Sequence, residues 1–146
     1  MMVRAQFYLL ATWLLCGCIA GCGSASTMVP VTGVVKFDSK PLDTGLIEFY
    51  PVAPTPGAMA GSSINQGAYS IPADKGLQIK GKYTVKITAT RKIGKQVANI
   101  MSPAGGQMDL FEQYLPAAYN TKSKLEITIP EGDQRKFDFE LNGDGK

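Results

Sequence analysis

The chain contains no histidine. That excludes every histidine-based triad, every histidine metal ligand and any imidazole pH switch. Cysteine is scarce, with three in 146 residues, and all three fall between Cys16 and Cys22. The rest of the chain can form no disulfide and must be held by packing alone. The longest uncharged apolar run, Ala5 to Leu15, is shorter than the about 20 residues that a spanning helix needs. Charge is modest, 15 basic against 12 acidic residues, which does not describe a disordered tail. Glycine and proline are plentiful, 16 and nine, and favour short elements joined by turns. The length allows one domain rather than two.

The first residues read as an address. Met1-Met2-Val3-Arg4 carries one positive side chain, Ala5 to Leu15 is apolar, and Cys16-Gly17-Cys18-Ile19-Ala20-Gly21-Cys22 is small and sulfur-rich. This order is the layout of a secretory signal. An uncleaved anchor helix is the plainer alternative.

The quartet Ile19-Ala20-Gly21-Cys22 resembles the lipobox of bacterial lipoproteins. Small residues let an extended backbone enter a protease groove, and the thiol is the nucleophile for the lipid donor. Leu15-Cys16-Gly17-Cys18 is a weaker version of the same pattern. The resemblance implies cleavage before Cys22, so that residues 1–21 are a signal peptide and Cys22 carries palmitate-like acyl chains. Stable anchoring takes about two such chains. It also implies an exported protein held on a membrane by its N-terminal lipid. Gly23 stands where the family often has an inner-membrane retention aspartate, which points to the outer membrane, facing the periplasm or the cell surface. Residues 22–28 then form the lipidated terminus and a short flexible linker. Six extended residues, Gly23 to Met28, reach about 20 Å, so the domain at 29–146 sits close to the membrane.

From Val29 onward the hydrophobic period is two. Val31, Gly33, Val35 and Phe37 alternate with Thr32, Val34 and Lys36. Ile47 and Phe49, then Tyr69 and Ile71, repeat the pattern. So do Tyr83, Val85, Ile87 and Ala89, then Leu125, Ile127 and Ile129, and last Phe137, Phe139 and Leu141. Such runs are strands with one face on a core and one in water. A further strand is expected around Met59 to Ile64. Asp38-Ser39-Lys40-Pro41 suits a type I turn, Asn65-Gln66-Gly67 offers a left-handed position, and Pro130-Glu131-Gly132-Asp133 is expected to close the last strand pair. The economical solution is an all-β fold, a single β-sandwich of six to seven strands whose apolar faces cover each other. Gln107 to Leu115 has helical spacing through Met108, Phe111 and Leu115, inside the longest irregular stretch, Gly94 to Ser123.

From Val29 to Ile87 the chain resembles the transthyretin-like, carboxypeptidase regulatory-like domain. Val31-Thr32-Gly33-Val34-Val35 resembles that family's first strand, Asp38-Ser39-Lys40-Pro41-Leu42 its first turn, and Gly45 to Pro51 its second strand. Gly67-Ala68-Tyr69 and Gly81-Lys82-Tyr83 resemble its paired strand openings. Ser39 replaces the usual glycine of the turn. Leu115 to Asn120 resembles a segment found before the sixth strand in lipoprotein members. The resemblance implies an immunoglobulin-like or transthyretin-like sandwich with a non-catalytic role, and it implies no substrate.

The candidate ligand sites are surface features. Seven cations lie between Asp74 and Lys95, with Lys82, Lys86 and Lys92 sharing the outward parity of one strand. A lysine ridge of this kind suits anionic lipid heads, phosphates or acidic polysaccharide. It also suits a solvated strand face protected from unwanted pairing. Phe111, Tyr114, Tyr119 and Asn120 form an aromatic loop able to stack on a sugar or peptide, or to pack on its own domain as a lid. The C-terminal acids provide no set of about six to eight oxygens for calcium. The sequence therefore predicts no enzyme, metal or cofactor. Removing Arg4 with the leader leaves 14 basic residues against 12 acidic, which does not suit nucleic acid. The reading is a lipid-anchored envelope module contacting a protein or polymer. The alternative is a glycan- or anionic-polymer-binding domain using Lys82, Lys86, Lys92, Tyr114, Tyr119 and Asn120.

Overall fold

The computed structural model describes residues 27–101, 103–132 and 135–145, so the leader and Cys22 lie outside the described residues. The fold is all-β, with curled antiparallel sheets. In chain order the strands are β1 (Met28–Val29), β2 (Val31–Phe37), β3 (Lys40–Pro41), β4 (Thr44–Pro51), β5 (Ala60–Asn65) and β6 (Ala68–Ile71). They continue as β7 (Leu77–Gln78), β8 (Lys82–Thr88), β9 (Thr90–Ala98), β10 (Gln107–Gln113), β11 (Leu125–Thr128) and β12 (Phe139–Leu141). The main sheet runs β11-β8-β4-β5-β6-β2-β12, with β3 beside β2. Separate two-stranded pairs are β1 with β7 and β9 with β10.

The period-two runs become half-buried strands. Val31 and Val35 of β2, Ile47 and Phe49 of β4, and Tyr83, Val85 and Ile87 of β8 are buried, while their neighbours point outward. Ala60 and Ile64 place the expected Met59–Ile64 strand in β5, and Tyr69 and Ile71 add β6. Leu42, Leu77, Ile129 and Leu141 complete the core from turns and short strands. Each fully buried aliphatic or aromatic side chain contributes about 1.5–3 kcal/mol over its exposed state.

Two glycines are required by geometry. Gly67 has φ +84° and follows Gln66 at φ 49°, which makes the tight left-handed hairpin turn between β5 and β6. At Gly33 a Cβ would meet the carbonyl carbon of Phe137 and a ring carbon of Tyr69, both at 2.7 Å, and the Phe137 oxygen more closely still. Here the segment leading into β12 lies directly on β2. Phe137 N donates to Thr32 O at 2.9 Å, Val34 N donates to the Asp138 carboxylate at 2.8 Å, and the Tyr69 hydroxyl donates to Phe137 O at 2.8 Å.

Several expectations are corrected. Gln107–Gln113 is a strand, not a helix. Its partner β9 supplies cross-strand hydrogen bonds and the ion pairs Arg91–Glu112 and Lys92–Asp109, and this long-range pairing overrides local spacing. The stretch from Gly94 onward therefore begins as a hairpin. The Asp38-Ser39 turn has φ of 49° and 64°, the mirror-image hairpin type rather than type I, because that twist matches paired strands. The Pro130–Gly132 turn closes no pair: β11 is bonded to β8, and β12 runs parallel to β2. Thr27 and Met28, read as linker, are tied down, with Ile79 N donating to Thr27 O at 2.9 Å and Met28 opposite Gln78.

The pairing fixes a polarity. Every neighbour from β8 through β4, β5 and β6 to β2 is antiparallel, so β8 and β2 run the same way. Thr27 and the starts of both strands lie at one end, and Phe37, Thr88 and the root of the β9–β10 hairpin at the other.

Candidate functional site

The lysines of the expected ridge divide between two sheets. Lys82 and Lys86 stand on the outer face of β8, alternating with buried Tyr83, Val85 and Ile87. Lys82 pairs with Glu126 of β11 at 2.7 Å, with both side chains about half exposed. Lys86 sits 4.2 Å from the centre of the Tyr50 ring on β4, a cation–π arrangement. Carbonyl and amide of Ala89, which is buried, end the strand: Tyr114 N donates to Ala89 O, and Ala89 N donates to Gln113 Oε1 at 2.8 Å. Lys92 follows in β9, paired with Asp109 and 6.0 Å from the Phe111 ring. The structure thus brings Lys82 and Lys86 together and leaves Lys92 in the separate hairpin. Hydrogen bonds from Lys92 and Gln96 hold the Asp109 carboxyl below its usual range.

The aromatic residues are placed differently from one another. Tyr114 is half-buried, edge-on to Phe37 at 5.8 Å and 5.6 Å from the Arg91 guanidinium. Burial raises its phenol above the ordinary value, the Asp43 charge adds to this, and Arg91 opposes it. Tyr119 and Asn120 are buried. The Tyr119 hydroxyl donates to Asn142 Oδ1 and accepts from Asn142 N, both at 3.0 Å. The Asn120 amide donates to the carbonyls of Leu115 and Pro116, and its oxygen accepts from Thr121 N. These groups lock the segment after β10 to the C-terminal end of the chain.

Beside them lies a groove of about 450 Å³ lined by Ala118, Tyr119, Lys122, Lys124, Leu125, Glu140 and Gly145. Its lining includes Leu125 of β11 and Glu140 of β12, the strands at the two ends of the main sheet's order. A second concavity, about 430 Å³, mixes Lys36 and Lys136 with Asp138 and Glu140. Asp138 accepts from Lys136 and from Val34 N, which holds its carboxyl below the usual range. Among the described residues no three acidic or thiol side chains converge as metal ligands, and no buried side-chain polar atom lacks a hydrogen-bond partner. None of the described helices is long and apolar enough to cross a membrane.

The feature that sequence reasoning missed is the β9–β10 hairpin. Every residue of β9 is exposed, and among the described residues the hairpin is bonded to no other strand. Its apex carries Ile100 and Met101, 92% and 88% exposed. The signal available in the sequence was the uncharged run from Gln96 to Met108 flanked by charged segments. Set against models of protein families, curated proteins and solved structures, the chain matches none.

Proposed function

We propose that this chain is a non-enzymatic, lipid-anchored module of a bacterial cell envelope, exported and held by acyl chains on Cys22. The carrying observation is the quartet Ile19-Ala20-Gly21-Cys22 at the end of an apolar leader, five residues before Thr27. Thr27 is the first described residue, and its carbonyl accepts a hydrogen bond from Ile79 N. Such a spacing holds a domain within about 20 Å of a bilayer. On this reading the body is a two-layer sandwich of the transthyretin-like type, its layers formed where the main sheet curls over its own apolar face. Supporting it are the antiparallel order of the central strands and the core they share.

Fatty-acid labelling tests the anchor. Cells expressing the chain should incorporate label, and Cys22→Ala should abolish it. Label retained in that variant overturns the assignment. The partner is an envelope protein or polymer, and crosslinking in the intact envelope identifies it.

The glycan- or anionic-polymer reading has its best support at Lys82, Lys86 and Tyr50, which share the exposed face of β4 and β8. Salt-sensitive, saturable binding of an envelope polysaccharide, lost in a Lys82→Ala/Lys86→Ala variant, would favour it over the first reading.

A further inference from the structure

A backbone amide nitrogen can attack the side-chain carbonyl of the asparagine before it. The two groups are already tethered, so the obstacle is the side chain of the attacking residue, and glycine has none. Asn65, Asn99 and Asn120 precede glutamine, isoleucine and threonine, whereas Asn142 precedes Gly143. This pair follows β12 in an exposed turn, closed by Gly145 N donating to Asn142 O at 3.1 Å. A Cβ built at Gly143 would meet only the Asp38 carboxylate among the described residues, at 3.8 and 4.0 Å, so the turn is otherwise open to water.

Both reacting groups are held by the right chemistry. Gly143 N, the nucleophile, donates to Asp38 Oδ1 at 3.0 Å. A general base must stand about 2.6–3.2 Å from the atom whose proton it takes. Asn142 Oδ1, where negative charge develops, accepts from the hydroxyl of buried Tyr119 at 3.0 Å. Donors that stabilise an oxyanion stand about 2.7–3.1 Å away. The same hydroxyl accepts from Asn142 N at 3.0 Å, which keeps it over this residue. Asp38 is placed by its own N, which donates to Leu141 O at 2.9 Å.

From this geometry we infer that Asn142–Gly143 is a self-modifying site, at which the chain deamidates itself with Asp38 as base and Tyr119 as oxyanion donor. Asp38 takes the proton from Gly143 N, and that nitrogen forms a bond to Asn142 Cγ. The electron pair of the carbonyl moves onto Oδ1, against the Tyr119 hydroxyl. Its return breaks the Cγ–Nδ2 bond, and ammonia leaves with the proton that Asp38 holds. Water then opens either carbonyl of the cyclic imide, leaving aspartate or isoaspartate at position 142. The product adds a negative charge next to Asp38, and its isoaspartate form adds a backbone carbon at the clamp that Tyr119 makes. The reaction does not depend on the lipid on Cys22.

Incubation of the purified full chain in neutral buffer tests this, with fragment mass spectrometry reading asparagine, aspartate and isoaspartate at position 142. The folded chain should convert about tenfold faster than the same chain unfolded in urea, below the about 10²–10⁴-fold of an enzyme's base because Asp38 is exposed. Asp38→Asn should lose most of that gain. Asparagine suits the φ of 49° at this position, and its oxygen still accepts from Gly143 N, so the geometry stays while the base is lost. Tyr119→Phe should also convert more slowly than the parent. Far-ultraviolet dichroism shows which variants are folded, and if one is not, the other decides. The inference is overturned if the folded chain converts no faster than the unfolded one. It is equally overturned if a folded variant converts as fast as the parent.

Discussion

Gly33→Ala tests the contact between β2 and the segment entering β12. The added methyl would stand 2.7 Å from the Phe137 carbonyl carbon and from a Tyr69 ring carbon, against the about 3.5–4.0 Å that carbon atoms prefer. Two of the three neighbours are backbone, so rotamer changes cannot relieve the overlap. Overpacking of this kind costs about 1–3 kcal/mol. If residues 135–139 withdraw instead, the bonds Tyr69 OH to Phe137 O and Val34 N to Asp138 are stretched, each contributing about 1 kcal/mol. The expected loss is about 3 kcal/mol. Urea unfolding of the purified chain followed by far-ultraviolet dichroism measures it, with Gly143→Ala as control. A Cβ at Gly143 meets nothing nearer than 3.8 Å, so that variant should stay within about 0.5 kcal/mol of the parent. A Gly33→Ala protein as stable as the Gly143→Ala control would refute the packing argument.

Two further outcomes follow from the same corner. Asp138 has its carboxyl lowered by Lys136 and by Val34 N, so its contribution is present above the ordinary carboxylate value of about 4 and fades as pH falls through the lower folded value. Asp138→Asn should therefore flatten the acid limb of urea midpoints measured from pH 7 downward; an unchanged acid limb argues against it. Tyr69 is raised, chiefly by burial and then by the Asp138 charge, so its contribution is present below the ordinary phenol value of about 10 and is lost as pH rises toward the higher folded value. Tyr69→Phe should flatten the alkaline limb and cost about 1 kcal/mol at neutral pH, read from the same titrations.

The parts of this fold legible in sequence are those whose signal is local. Alternation in Val31–Phe37 or Tyr83–Ile87 follows directly from burying one face of a strand, and Lys82 and Lys86 fall outward for the same reason. Gln107–Gln113 was not legible, because Met108, Phe111 and Leu115 fit a helix equally well and the deciding partner, β9, lies across a turn. Lys92 kept its parity on paper, but the chain leaves the main sheet at Ala89, where Gln113 and Tyr114 capture both backbone groups. Tyr119 and Asn120 looked available because their polarity is visible and their partners are not. Asn142 and the Leu115 and Pro116 carbonyls reach them only after folding. The parallel return of β12 onto β2 was equally hidden, since a turn signal at Pro130 says where the chain bends and not where it goes.

The common direction of β2 and β8 gives the molecule two opposite poles. Thr27 enters at one pole, and the β9–β10 arm departs from the opposite one. Seven residues of β8 followed by nine of β9 give a reach of up to about 50 Å. Lengthening or shortening the hairpin by a pair of residues on each strand would move its end by about 7 Å relative to the entry pole.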